Sequence, residues 1–105
     1  MRIKLIDVAE VIRSKNAGPY ELTFDIILKE WSMFDVFVEK KLINKRMIAE
    51  LYNIEEEKVM NVIEFKPAKA IKATIERPIA SGDLGETDVY GAQQHAPLLS
   101  LEFDI

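Results

Sequence analysis

Apolar and polar residues alternate most regularly from Glu21 to Leu28, where Leu22, Phe24, Ile26 and Leu28 take every second position and Glu21, Thr23 and Asp25 lie between them. A period of two places the two sets on opposite sides of an extended chain, so this stretch predicts a half-buried strand. Two more runs share the pattern. Val59, Asn61, Ile63 and Phe65 alternate with Met60, Val62 and Glu64, and Ile71, Ala73 and Ile75 alternate with Lys72, Thr74 and Glu76. These predict strands over about Val59 to Lys66 and Lys69 to Arg77, joined at Pro67-Ala68 into an antiparallel hairpin. A last strand is expected over Leu98 to Ile105, with Leu99, Leu101, Phe103 and Ile105 on one face. Val8 to Arg13 fits a strand, whereas Leu5, Val8, Ala9 and Ile12 fit a helical stripe equally well. Gly18-Pro19 then marks a turn.

Between these runs the period changes to that of a helix. Ser32 is placed to cap one, with Asp35 three residues on, and Phe34, Phe37, Val38, Lys41 and Leu42 form its stripe. Trp31 and Phe34 are assigned to core packing. Asn44 predicts the cap of a second helix with Met47, Ile48, Leu51 and Tyr52 inside, and Asn53 is its expected end. Glu55-Glu56-Glu57 reads as a solvated turn. Two helices grouped among four or five strands imply an α+β fold: a two-layer sandwich with a largely antiparallel sheet and both helices on one face.

Composition narrows the class. At 105 residues the chain suits one domain, and no repeat or low-complexity segment divides it. The absence of cysteine removes disulfides, thiolate nucleophiles and cysteine-bound metal centres. A net charge of −4 argues against nucleic acid as a partner. No segment of Met1 to Asp7 is apolar enough for a signal peptide, and no run approaches the ~20 apolar residues that cross a bilayer. A cytoplasmic protein without a membrane partner is expected. Beyond Arg77 every charged residue is acidic, so the C-terminal quarter either meets the basic region before it or repels anions.

Two segments stand out as candidate chemistry. Residues Pro78 to Pro97 form a long stretch without periodicity, and such stretches in small domains are often functional. Tyr90, Gln93, Gln94 and His95 there supply neutral donors and acceptors, with His95 as a candidate proton carrier. One imidazole without spaced partners makes a poor metal site, and no metal is expected. The second segment is Arg13-Ser14-Lys15-Asn16, read as a loop whose arginine fork and lysine charge suit a carboxylate or phosphate. Against it stands the plain alternative of a solvated basic loop. There is no phosphate loop, nucleotide fingerprint or hydrolase elbow, and no cofactor is expected.

The run from Arg13 to Asp25 resembles the signature of a small family of unknown function, numbered four-three-eight-seven among such families. The run from Thr87 to Leu98 is similar to its second signature, and Phe65 to Lys72 and Arg77-Pro78 also fit. The resemblance implies a partner more than a reaction: larger proteins of the acyclic-terpene-utilisation A type, whose small C-terminal domain carries a related Arg-Ser-Gly-Asp-Lys-Gly segment that departs from this chain after two residues. It further implies a setting of small organic acids or acyl thioesters, and one site made by the Arg13 and His95 segments. Three readings follow. The first is an accessory subunit with an anion site; the second, a self-contained lyase or hydrolase using His95. The third is an interaction module in which Pro78 to Pro97 is an oligomerisation arm. A homo-oligomer is expected of the isolated chain.

Overall fold

A computed structural model describes residues 1–18, 20–76 and 96–105. Tyr90, Gln93, Gln94 and His95 lie outside these residues, as does the 78–97 segment apart from Ala96 and Pro97. The elements are β1 (Arg2–Lys4), α1 (Leu5–Val8), β2 (Ala9–Gly18), β3 (Glu21–Leu28), α2 (Trp31–Glu39), α3 (Lys45–Tyr52), β4 (Val59–Phe65), β5 (Ala70–Glu76) and β6 (Glu102–Asp104). Short 3-10 turns occupy Glu56–Lys58, Lys66–Ala68 and Ala96–Ser100. The main sheet has the order β2-β3-β5-β4 with every neighbour antiparallel, and β1 pairs with β6 in a separate two-stranded sheet. This is the expected α+β class.

The apolar set of β3 builds the core. Leu22, Phe24, Ile26 and Leu28 cluster with Phe34 and Phe37 of α2, Ile48 and Ala49 of α3, and Ile71, Ala73 and Ile75 of β5. Tyr52 stacks on Phe24 with ring centroids 4.6 Å apart, and burial raises its phenol pKa above the ordinary value. Both longer helices end in the same way. Leu42 N–H bonds to Phe37 O and Lys41 N–H to Val38 O, while Ile54 N–H bonds to Ala49 O and Asn53 N–H to Glu50 O. These are Schellman closures, and Lys41 (φ 50°) and Asn53 (φ 54°) take the left-handed position glycine usually fills. Leu42 and Ile54, next in each chain, pack against the core. Asn44 caps α3 as expected, accepting from Met47 N–H at 2.9 Å.

Three expectations at element ends are corrected. First, α2 begins at Trp31 after an extended Glu30 that makes no side-chain cap, so Ser32 lies inside the first turn and its capping box does not form. Trp31 is accordingly 45% exposed, edge-on to Phe34 and beneath Lys69, and only Phe34 is core. Second, residues Ala96–Ser100 wind as a 3-10 turn, so only Glu102–Asp104 is strand. A three-residue period buries Leu98 and leaves Leu99 exposed, the reverse of the strand reading. Third, β4 carries a bulge between Val59 and Asn61. The extra residue shifts the chain to the other face: Val59 faces the core, while Asn61, Ile63 and Phe65 face away from it.

The acidic end of the chain meets basic residues at β1. Arg2 Nη1 donates to Asp104 at 3.0 Å and Nε to Glu102 at 3.3 Å, and these partners raise the guanidinium pKa. In register, Lys4 stands opposite Glu102.

Candidate functional site

The basic segment is not a loop. Arg13, Ser14, Lys15 and Asn16 all lie within β2, paired in turn with Asp25, Phe24, Thr23 and Leu22 of β3. None of the four has a strong intrinsic preference for strand; the ladder to a long central neighbour sets their conformation. Extended geometry then separates them. Ser14 and Asn16 share the core side with Phe24 and Leu22, and Ser14 is buried. Arg13 and Lys15 share the opposite, outward face.

Register across the four strands arranges that outward face in rows. Val11, Ile27, Ala70 and Phe65 form an apolar row; Arg13, Asp25, Lys72 and Ile63 form the next; Lys15, Thr23, Thr74 and Asn61 form the third. Glu21 and Glu76 close one end, where Glu76 is also paired with Lys58 at 3.3 Å. Polar groups therefore occupy the middle of the face, with an apolar margin on one side and an acidic one on the other.

Asp25 is the centre of this arrangement. It is only 1% exposed, although it points to the side of the sheet away from the helices. Arg13 Nε donates to its Oδ2 at 3.0 Å, and Lys72 Nζ stands 3.8 Å from Oδ1, an electrostatic contact beyond hydrogen-bond length. Among the described residues Oδ1 is buried without a hydrogen-bond partner, as is Asn61 Oδ1 two strands away. Thr23 and Thr74 hydroxyls share a hydrogen bond of 3.3 Å. Among the described residues Arg13 pairs with Asp25 through Nε, and its side chain is 58% exposed. Lys15 makes no ion pair among the described residues.

Two cations, Arg13 and Lys72, thus flank one carboxylate, and Lys15 in the next row adds a third positive charge to this part of the face. A guanidinium held at Nε by a buried acid is pre-oriented, and its outer edge suits a second, incoming carboxylate in bidentate fashion. The unbonded Asp25 oxygen could in turn accept from a ligand hydroxyl or amide. Among the described residues no cluster of His, Asp and Glu is arranged to hold a metal.

Of the sequence candidates, the fold brings Arg13 and Lys15 to this patch and puts Ser14 and Asn16 behind it. Asp25, Lys72, Thr23, Thr74 and Asn61 were not singled out. Asp25 did carry a signal, since aspartate is depleted in strands and this one stands mid-strand.

No curated protein and no solved structure matches the chain. The profile of a domain-of-unknown-function family, DUF4387, matches residues 5–102 and so takes in the main four-stranded sheet, α1 to α3 and the Arg13–Asp25–Lys72 row. The chain is a member of the DUF4387 family.

Proposed function

We propose that this domain is an accessory, ligand-binding part of an enzyme system for small organic acids or acyl thioesters, and that the outward sheet face holds the carboxylate of its ligand. The observation that carries this reading is the buried carboxylate of Asp25 flanked by Arg13 and Lys72, with Lys15 in the neighbouring row of the same face. The outward face of the sheet has no packing need for a buried acid, and replacing such a pair by apolar residues is often neutral for stability. Holding Arg13 in one orientation is the gain that a binding site would use. The larger acyclic-terpene-utilisation A-type protein implied by the family resemblance is the partner this subunit would serve. A self-contained reaction at His95 is the alternative, and the Arg13–Asp25–Lys72 row is the observation that favours binding.

Calorimetric titration with a panel of short mono-, di- and hydroxycarboxylates tests it. Binding is expected for at least one acid, weakened about tenfold or more in Arg13→Ala, since hydrogen bonds to charged groups contribute about 1.5–3 kcal/mol. Circular dichroism should show both proteins folded. No binding by any acid at millimolar concentration, or equal affinity in the folded variant, contradicts the proposal.

A further inference from the structure

The two edges of the main sheet differ in a way the carboxylate site does not explain. On β2 the exposed side chains are mostly charged: Glu10, Arg13 and Lys15, with Ala17 beside them. Charge along an edge is how sheets commonly prevent pairing with another chain. The opposite edge, β4, has one exposed charge, Glu64, and carries besides it Met60, Ile63 and Phe65, each about half exposed. Three of the exposed large apolar residues therefore fall within one seven-residue strand. β4 is the last strand of the main sheet, and among the described residues it pairs only with β5 and has no strand along its other edge.

We infer that β4 is a docking edge for a second copy of this chain, with two β4 strands pairing antiparallel across a two-fold axis at Ile63. The self-complementarity of the strand selects this occupant. About Ile63, the regular part of β4 sets Ile63 against Ile63, Asn61 against Phe65 of the second copy, and Val62 against Glu64. No like charges oppose each other in that alignment, and the exposed Ile63 and Phe65 of both copies form one apolar strip on the outward face. Moving the axis to Glu64 would set two carboxylates opposite each other, a destabilising pair. Met60, the bulge residue, lies outside the paired stretch. The seam joins two short strands and is at the small end of protein interfaces, so dissociation in the micromolar range is expected.

The native chain has no cysteine, which makes a single introduced thiol a clean probe. Directly opposed residues of an antiparallel pair come close to disulfide reach. Under mild oxidation Ile63→Cys should form a product of twice the 12.0 kDa chain mass. Ile6→Cys, at a comparably exposed position away from β4, should do so far more slowly. Sedimentation of the native chain should show a concentration-dependent dimer, and Ile63→Lys should return it to monomer with an unchanged circular dichroism spectrum. Equal crosslinking of the two cysteine variants overturns the inference. So does a native chain that stays monomeric to several hundred micromolar, or a dimer indifferent to Ile63→Lys. None of these readings depends on ligand binding.

Discussion

At the residue scale, Asp25 and Arg13 make unequal demands on the fold. Arg13 is half in water and can be solvated if its partner is lost, whereas Asp25 is enclosed and depends on its cations. Removing one partner of a fully buried ion pair costs about 3–5 kcal/mol, and the exposure of Arg13 and the nearby Lys72 reduces that figure here. Chemical denaturation should find Arg13→Ala destabilised by about 1–2 kcal/mol. Adding Asp25→Asn should recover part of the loss, because the stranded charge is then gone; additive losses would argue against the coupling. Tyr52 gives a second residue-scale test. Its phenol pKa is raised by burial, so the folded state holds this proton more tightly than the unfolded one. Its contribution is therefore fully present below the ordinary pKa of 10.0 and declines as pH rises above it. The stability difference between native protein and Tyr52→Phe should fall above that pH by up to about 1.4 kcal/mol per unit, and a flat difference would contradict the burial argument.

At the scale of elements, period and capping residues made most of the architecture legible in the sequence. The strands β3 and β5 and the Asn44 and Asn53 termini of α3 stand as expected, except that β3 is not half-buried, since Thr23 and Asp25 on its outward face are buried too. What was not legible depended on neighbours. Nothing in Arg13-Ser14-Lys15-Asn16 says strand until β3 is beside it. The bulge that turns Asn61, Ile63 and Phe65 outward is invisible to a period-two count, which continues unbroken through it. The turn that exchanges Leu98 for Leu99 in the core is likewise set by how the C-terminal segment reaches β1. The closure of α2 yields its own test. A lysine at left-handed φ carries a penalty that glycine avoids, set against the greater entropy of glycine in the unfolded chain. Lys41→Gly should raise stability by about 0.5–1 kcal/mol in thermal or denaturant unfolding, and a loss would show that the lysine side chain contributes more than its backbone strain removes.

At the scale of the molecule, the two layers divide structure from recognition. One side of the main sheet is committed to helices and core, and the other presents graded rows with a cationic centre. The candidate site was half legible for that reason: Arg13 and Lys15 announce charge in one segment, but Asp25 and Lys72 join them only once β3 and β5 align. Among the described residues no helix is long and apolar enough to cross a membrane. Both proposed surfaces belong to the main sheet, the carboxylate site to its face and the docking strand to its edge. The most direct measurement is amide chemical-shift mapping during titration with the best-bound small carboxylate. Shifts concentrated at Arg13, Lys15, Asp25, Lys72 and Thr74 are predicted, with little change on α2 and α3. Shifts centred on the helices or the β1–β6 pair, or no saturable shift at all, would contradict the outward face as the binding site.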